Sequence, residues 1–322
     1  MYSLYSTSKF YAAGITNKIF SCWHEDHGKR DRLVFRVYGK QTDLIINRKD
    51  EIRNWQLLEK NGCAAPLLGT FGNGLIVGYQ AGSPLSREQV RLPEIYREIA
   101  YSMAKMHMID RRSSCPSDQE PFLFTKLESF IDNVPKTFAD EYKQKLFAHN
   151  FPSGKAVRKE LDDMRSVLAP LKSPLVFCHN DLLLNNILYD SEANCISFID
   201  YEYAGFNYQA FDIGDHFCEF AGVDDIDFSL YPDREFQLNW LSTYLQFWHQ
   251  LNNLPPPSSM DVDRLYVQVN KCAVAAHFFW AFWAVLQARY STIDFDYIQY
   301  GVDRITEYYR MKEKYFALEL PE

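Results

Sequence analysis

The stretch Leu175–Leu188, with the sequence LVFCHNDLLLNNIL, decides the fold of this chain. A short apolar run opens it, and His179, Asp181 and Asn186 follow on a polar segment. A second apolar run, ISFI, ends nineteen residues after Asp181 in Asp200. Both runs are typical of short buried strands, so the sequence predicts a loop and a strand end that bring two carboxylates and an amide together.

This order of residues, HxDxxxxN followed by a strand and an Asp, is the arrangement of a kinase catalytic loop. Phosphoryl transfer needs a carboxylate that orients and deprotonates the attacking hydroxyl, and it needs oxygen ligands for Mg²⁺. Asp181 is the candidate for the first role, and Asn186 and Asp200 are the candidates for the second. The alternative is that His179 and Asp181 only cap a turn while Asp200 ends a strand by chance. The two strands at suitable spacing favour the catalytic interpretation.

Residues nearer the N-terminus offer contacts for a nucleotide. A predicted strand carries Arg36, and the helix that follows carries Glu51. An Arg–Glu pair can replace the usual kinase Lys–Glu pair, because a guanidinium binds phosphate oxygens bidentately. Both charges could equally be solvated surface groups. The segment 13–18, AGITNK, precedes a strand and could cover phosphates with its backbone N–H groups, although a single glycine also fits an ordinary turn.

The chain divides into a strand-rich part and a mostly helical part. Strands are predicted at Ile19–Trp23, Leu33–Tyr38 and Leu75–Tyr79, with a helix over Asn47–Asn61 that stops at Gly62. The turn-rich segment 80–85, QAGSPL, separates the two parts. Beyond it, helices are predicted at Pro93–Ile109, Phe138–His149, Lys155–Leu168, Glu235–Gln250, Met260–Arg289 and Ile293–Arg310. The only strands predicted there are Leu175–Cys178 and Cys195–Ile199.

Composition excludes several classes of protein. Apolar residues make up 47% of the 322 residues, which is enough for a large core. The net charge of −8 argues against a nucleic-acid partner. Seven cysteines without a CxxC pair fit neither a disulfide framework nor a zinc site. The N-terminus lacks the apolar core of a signal peptide, and the apolar run Cys272–Leu286 is too short to span a bilayer, so a cytoplasmic protein with one buried helix is expected.

Three stretches resemble the choline/ethanolamine kinase family. They are residues 179–188, residues 198–208 (FIDYEYAGFNY) and residues 212–223 (DIGDHFCEFAGV). The segments EFAGV at 219–223, YPDRE at 231–235 and HFFWAFW at 277–283 resemble the ethanolamine kinase branch of this family. The similarity runs from about residue 10 to the C-terminus.

The resemblance implies an α+β, two-lobed protein-kinase-like fold, with a small β-rich N-lobe at 1–79 that covers the nucleotide and a large, mainly helical C-lobe at 80–322. It implies ATP- and Mg²⁺-dependent phosphorylation of ethanolamine, the first step of phosphatidylethanolamine synthesis. Asp181 matches the catalytic base of the family, and Asn186 and Asp200 match its metal ligands. The nucleotide-binding positions fall on Gly14, Thr16, Asn17, Arg36, Glu51 and Asp200. The substrate pocket falls on Tyr203, Glu219, Trp280, Trp283 and Tyr300.

Residue chemistry supports such a pocket, because an ammonium group removed from water needs a carboxylate, aromatic faces, or both. Trp280 and Trp283 are three residues apart and share one side of a helix. They could equally be core aromatics, and Glu219 could be a structural carboxylate. Asp212 is expected to brace the catalytic loop.

Two other functions stay open at this point. The first is a choline kinase, and the second is a catalytically weak pseudokinase that serves as a binding module. The expected partner is a small cationic amino alcohol, with no nucleic acid, no transmembrane segment and a homodimer as one option for assembly.

Overall fold

The computed structural model describes residues 7–11, 17–26, 29–39, 46–110 and 120–322. Its N-terminal part consists, in chain order, of β1 (Thr7–Tyr11), β2 (Asn17–Asp26), β3 (Lys29–Tyr38), α1 (Arg48–Lys60), β4 (Leu67–Phe71) and β5 (Gly74–Gly78). The five strands form one antiparallel sheet in the order β1-β2-β3-β5-β4. The predicted strands are confirmed as parts of β2, β3 and β5.

Helix α1 has clear sequence signals at both ends. The Asn47 side chain accepts hydrogen bonds from the backbone N–H groups of Lys49 and Asp50, which satisfies donors that a helix start leaves unpaired. After the C-cap residue Asn61, Gly62 has a φ of +64°, a left-handed conformation that glycine adopts without steric cost. The predicted helix over Asn47–Asn61 with a stop at Gly62 is therefore confirmed.

The C-terminal part is mostly helical. It consists of β6 (Ser83–Pro84), α2 (Pro93–His107), α3 (Phe122–Asn133), α4 (Glu141–Asn150), α5 (Lys155–Leu168), β7 (Leu175–Cys178), β8 (Ile187–Asp190), β9 (Cys195–Phe198), β10 (Gly205–Tyr208), α6 (Gln209–Cys218), α7 (Arg234–Leu251), α8 (Ser259–Tyr290) and α9 (Tyr297–Phe316). β7 pairs with β10, and β8 lies between β6 and β9. A small strand-rich part followed by a large helical part is the predicted fold class.

Six helices predicted beyond residue 80 are confirmed, although α4 and α9 begin three and four residues later than expected. The expectation of only two strands in this part was wrong, because β6, β8 and β10 are also present. These strands have two to four residues and depend on pairing with distant segments, which local pattern does not reveal. Helices α3 and α6 were also missed. All ten residues of α6 are buried, so it lacks the polar face that marks an amphipathic helix.

Helix α8 lies at the centre of the helical part. It packs against α3, α5, α6, α7 and α9, and every residue from Val267 to Ala288 is buried. Among the described helices it is the one whose length and apolar composition would suit a membrane span, but its most apolar window lies wholly inside the protein. The predicted buried helix over Cys272–Leu286 is thus confirmed.

The junction between the two parts depends on Gly82. Its φ is +116°, and a Cβ at this position would lie 2.8 Å from the carbonyl carbon and oxygen of Tyr189. Only glycine tolerates both conditions, and it lets β6 pair with β8 next to the loop that begins at His179. The segment predicted as a turn-rich break is therefore attached to the strand that follows the predicted catalytic loop. The domain boundary at residues 79 and 80 stays a prediction.

Gly214 allows α6 and α8 to approach closely. A Cβ on Gly214 would lie 2.7 Å from the Val269 carbonyl oxygen and 2.8 Å from the Ala273 backbone nitrogen. Both neighbours belong to helix backbone, which cannot move aside locally. The substitution Gly214→Ala is therefore expected to lower the free energy of unfolding by about 1–3 kcal/mol, measured by urea denaturation.

Gly72→Ala is the matched control, because a Cβ at Gly72 would meet no atom within 4 Å. Its effect is expected to stay within about 0.5 kcal/mol. Equal urea midpoints for the two variants would contradict the close packing of α6 against α8.

Candidate active site

One buried carboxylate holds the start of the loop at 179–186. The two Asp212 oxygens accept hydrogen bonds from the backbone N–H groups of His179 (2.9 Å) and Asn180 (2.7 Å). His107 Nε2 lies 3.0 Å from Asp212 Oδ2, and His107 Nδ1 lies 2.7 Å from the Tyr244 hydroxyl. Burial alone would raise the pKa of Asp212, but the hydrogen bond and charge of His107 outweigh it, so the pKa is lowered. The expected brace under the loop is confirmed.

The same place contains a group of potential metal ligands. Ligand atoms of His107, Cys178 and Asp212 lie within 4.8 Å of one another. These atoms already have hydrogen-bond partners, since the one Cys178 S–H proton lies near several backbone carbonyls, including those of Val176 and Asn207 at 3.6 Å. Hydrogen bonds within the core account for this group.

The structure brings Asp181, Asn186 and the segment that carries Asp200 together. Asn186 Nδ2 donates to the Asp181 carbonyl oxygen at 2.9 Å and lies 3.4 Å from Asp181 Oδ2. The Asn186 carbonyl accepts from the Ile199 N–H at 3.0 Å. His179 Nε2 lies 2.9 Å from the Ile199 carbonyl oxygen. Two hydrogen bonds to the residue before Asp200 therefore attach the loop to the end of β9.

Two backbone positions in this region are left-handed. Asn180 has a φ of +65° and Asp200 a φ of +67°, a region that residues other than glycine rarely adopt. The Asn180 side chain stabilises the left-handed backbone at its own position, because it donates to the Tyr203 carbonyl at 2.9 Å and accepts from Asn207 Nδ2 at 2.8 Å. Conformations of this kind persist where the surroundings over-determine them, and they concentrate at functional sites.

Asp181 is an enclosed carboxylate with an unusual pKa. Its residue is 8% exposed, and burial raises the pKa of Asp181 well above its usual range, with further contributions from Asp200 and Asp215. In the part of the chain that the structure describes, no lysine, arginine or histidine side chain forms an ion pair with Asp181. A group with these surroundings has a strong tendency to take up a proton.

Arg36 joins the sheet to the helical part. Its Nη1 lies 2.9 Å from Glu51 Oε1, so the Arg36–Glu51 ion pair that the sequence suggested is present. Its Nη2 pairs with Asp200 Oδ1 (2.5 Å) and Glu202 Oε2 (2.6 Å). Burial would lower the pKa of Arg36, but these carboxylates outweigh it and raise the pKa. Arg36, which is 164 residues from Asp200 in the sequence, therefore holds this carboxylate in position.

Sequence reasoning missed Glu202. Its buried carboxylate accepts from Asn17 Nδ2 at 3.0 Å as well as from Arg36. Burial raises the pKa of Glu202, and the charge of Asp200 adds to this. The signal was available, since Asp200 and Glu202 alternate in the segment DYEY. Of the predicted phosphate-loop residues, Asn17 is the first residue of β2, whereas Gly14 and Thr16 lie outside the described residues.

The four aromatic residues predicted for the substrate pocket form one buried cluster. Trp283 Nε1 donates to the Tyr203 hydroxyl at 2.6 Å. The Trp280 ring meets Tyr203 and Trp283 edge-to-face, with centroids 5.4 Å apart in both pairs. Tyr300 meets Trp283 at a centroid distance of 6.3 Å. The spacing of Trp280 and Trp283 therefore places both rings against each other and against Tyr203.

Glu219 lies beside this cluster with a partner that sequence reasoning missed. Its Oε1 accepts from Arg304 Nη2 at 2.5 Å, and both side chains are fully buried. Burial raises the pKa of Glu219, and Arg304 opposes the shift. Among the described residues, nothing donates a hydrogen bond to Glu219 Oε2, although this atom is buried. Arg304 follows Tyr300 by four residues on the buried side of α9, which is the spacing that could have revealed it.

A third carboxylate, Asp215, connects the aromatic cluster to the loop. Its Oδ1 accepts from Trp280 Nε1 at 2.7 Å, and its Oδ2 accepts from the backbone N–H of Leu182, next to Asp181, at 3.2 Å. Asp215 is fully buried. Asp215 therefore joins a loop of the kinase type, which carries Asp181 and Asn186, to a buried cluster of aromatic and acidic side chains.

Residues 9–309 match the model of a protein family, choline/ethanolamine kinase. The chain belongs to the choline/ethanolamine kinase family. Human ethanolamine kinase 2 is 46% identical over 314 residues, which cover 98% of this chain and 78% of the relative. The match extends well beyond residues 179–188 and includes α6, α8 and α9.

Solved structures of the family have the same fold. The ethanolamine kinase of Plasmodium vivax superposes with a TM-score of 0.80 at 27% identity, covering 94% of this chain and 82% of that one. A choline kinase from Cryptosporidium parvum gives 0.76 at 26% identity, covering 96% and 89%. The family fold is therefore the protein-kinase-like fold that the sequence predicts.

Asp212→Asn tests the brace under the loop. An amide offers one acceptor oxygen in place of two, so either His179 or Asn180 loses its backbone hydrogen bond. The loop is then displaced, and kcat for phosphoryl transfer is expected to fall about 100-fold. The measurement is ADP release at saturating substrates. Asp132→Asn, at an exposed ion pair with Arg158, is the control and should keep its kcat. Unchanged kcat in Asp212→Asn would contradict the brace.

Proposed function

We propose that this chain transfers the γ-phosphoryl group of ATP to the hydroxyl of ethanolamine, forming phosphoethanolamine and ADP. The observation that carries the proposal is the position of Asp181. It lies beside the oxygen donors Asn186 and Asp200 and, through Leu182 and Asp215, next to a closed acidic and aromatic pocket. The chain that carries this site is 46% identical to a human ethanolamine kinase over nearly its whole length.

The donor set suits Mg²⁺. Asn186 Nδ2 faces Asp181, which directs the amide oxygen elsewhere, and the Asp200 side chain is 24% exposed, with one oxygen beyond its bond to Arg36. Carboxylate and amide oxygens are the ligands that Mg²⁺ prefers. Asn186 and Asp200 would hold the ion, which neutralises charge on the phosphates when bound. Arg36, Glu51 and the phosphate loop at 14–17 would position the nucleotide.

Asp181 acts as the general base in this proposal. The hydroxyl of ethanolamine loses its proton to Asp181, and its oxygen forms a bond to the γ phosphorus as the bond to the bridging oxygen of ADP breaks. The Asp212 brace keeps the carboxylate in position during the reaction.

The acidic and aromatic pocket holds the ammonium group. Glu219 Oε2, buried without a hydrogen bond from any described residue, is an acceptor suited to an ammonium N–H. Tyr203, Trp280, Trp283 and Tyr300 provide aromatic faces, which attract cations through their quadrupoles. A pocket of this kind excludes water and keeps the hydroxyl end towards Asp181.

In this proposal the two parts of the chain have different roles. Residues 1–79 cover the nucleotide, and residues 80–322 carry the catalytic loop, the metal ligands and the substrate pocket. The reaction is placed in the cytoplasm, where it supplies phosphoethanolamine for phosphatidylethanolamine synthesis.

Choline is the second candidate acceptor, because the Cryptosporidium parvum choline kinase has nearly the same structural similarity to this chain as the Plasmodium vivax enzyme. A rate comparison of ethanolamine and choline decides between them. A pseudokinase is disfavoured, since Asp181, Asn186 and Asp200 are all present and oriented by hydrogen bonds and ion pairs.

Asp181→Asn is expected to lower kcat for ethanolamine by about 100- to 10,000-fold, because an amide cannot accept the hydroxyl proton. Nucleotide binding should persist, since Asp181 does not contact the phosphates in this scheme. ADP release measures the first effect, and a thermal shift with MgATP measures the second. Strong residual turnover would remove Asp181 from its role.

Asp200→Ala is the complementary variant. Loss of this carboxylate should abolish the Mg²⁺-dependent part of the nucleotide thermal shift together with activity, because a metal ligand is missing. If Asp200→Ala binds MgATP as tightly as the unaltered protein does, the assignment of Asp200 as a ligand is wrong.

A further inference from the structure

The pocket has more negative than positive charge. Asp181, Asp215 and Glu219 are all buried, and the only ion pair among them that involves a described residue is that of Glu219 with Arg304. Glu219 is therefore largely neutralised by a protein cation. Among the described residues, the hydrogen-bond donors to Asp215 are two neutral N–H groups, those of Trp280 and Leu182, and Arg304 attracts its charge without an ion pair between them. Asp215 and Asp181 are therefore less compensated by protein cations than Glu219 is.

The position of Asp215 links the two halves of the site. One oxygen fixes the Trp280 indole, and the other holds the backbone of the residue that follows Asp181. Trp280 in turn packs edge-to-face on Tyr203 and Trp283. Asp215 is therefore bonded both to the aromatic wall and to the catalytic loop, within a helix whose residues are all buried.

We propose that Asp215 is a specificity-determining residue, which makes the pocket prefer a small primary ammonium group over a quaternary one. Because Glu219 is paired with Arg304, Asp215 supplies the negative charge that attracts the ammonium group. Asp215 also holds the Trp280 ring next to the loop at 179–186. This inference rests on the proposed function, because it concerns the acceptor of the same reaction.

The preference follows from how closely each cation approaches a carboxylate. A primary ammonium donates N–H bonds and brings its nitrogen to about 2.8 Å from an oxygen, whereas methyl groups keep a quaternary nitrogen farther away. Coulomb attraction falls with distance, and it is strong in a pocket without water. The aromatic faces attract both cations, so they favour neither decisively. Selection between them therefore depends on the carboxylates.

The protonation tendencies of the cluster agree with this picture. Burial raises the pKa of Asp215 well above its usual range, and the charge of Glu219 adds to the shift. Burial raises the pKa of Glu219 as well. A bound ammonium group opposes both shifts, since it stabilises the charged carboxylates.

Asp215→Asn is the central test, because it keeps the size of the side chain and removes the charge. The amide has one acceptor oxygen, so it also loses the hydrogen bond from either Trp280 or Leu182, and Trp280→Phe is the variant that isolates the loss of the indole bond. The acceptors are ethanolamine, N-methylethanolamine, N,N-dimethylethanolamine and choline, each assayed by ADP release with MgATP. KM for ethanolamine is expected to rise at least about tenfold, and the ethanolamine-to-choline ratio of kcat/KM to fall by a similar factor. KM for ATP should stay within about twofold, since Asp215 lies on the acceptor side of Asp181.

Two further variants separate charge from packing. Trp280→Phe removes the indole donor and leaves Asp215 charged, so it should weaken binding of every acceptor while keeping the preference for ethanolamine. Glu160→Gln replaces a partly exposed carboxylate on α5, bonded to Tyr308 and Lys312, and should change neither rates nor preference. Thermal denaturation checks that each variant is folded.

The outcomes distinguish this inference from the proposed function. If the unaltered protein releases no ADP with ethanolamine, the proposed function fails. If the unaltered protein releases ADP with ethanolamine, but Asp215→Asn keeps the original ethanolamine-to-choline ratio of kcat/KM, only the inference about Asp215 is overturned. An equal loss for all acceptors and for ATP in Asp215→Asn would also overturn it, because that result indicates a purely structural role. If Asp215→Asn does not fold, loss of the preference in Trp280→Phe would overturn the inference instead.

Discussion

The hydrogen bonds that Asp212 accepts from two successive backbone N–H groups determine where the catalytic loop lies. A loop whose second residue, Asn180, is left-handed depends on such external support. The brace rests on His107 and Tyr244, which belong to helices far apart in sequence. The position of Asp181 is therefore a property of the whole helical part, and the loop sequence alone does not determine it.

The site gathers carboxylates at a cost in stability. Burying a charge without a partner is unfavourable, and this protein does so at Asp181 and Asp215. Arg36 and Arg304 offset part of the cost through their ion pairs with Asp200, Glu202 and Glu219. Among the described residues, neither arginine forms an ion pair with Asp181 or Asp215. In the proposed function, the positive charge of the acceptor would stabilise these two carboxylates.

Much of this could be predicted from sequence, because the informative residues were close together along the chain. The loop with Asp181 and Asn186, the strand end with Asp200 and most helices follow from local spacing. Glu202, Asp215 and Arg304 did not emerge, since local spacing does not identify their side-chain partners Arg36, Trp280 and Glu219, which are 65 or more residues away. Helix α6 and strand β10 were missed for a related reason. Their residues are selected for burial or for pairing with a distant strand, so neither helical nor alternating periodicity is visible.

The burial of α8 on all sides affects how the helical part folds and opens. A helix with a solvent-facing side can fray while its neighbours stay in place, but α8 can unwind only if the helices around it separate. Backbone amides from Val267 to Ala288 should consequently exchange hydrogen with solvent only through global unfolding. Trp280 and Trp283 lie within this segment, so the aromatic side of the proposed acceptor pocket is built on a slowly exchanging part of the molecule. In the proposed function, access for the acceptor would then depend on movements of the elements around α8.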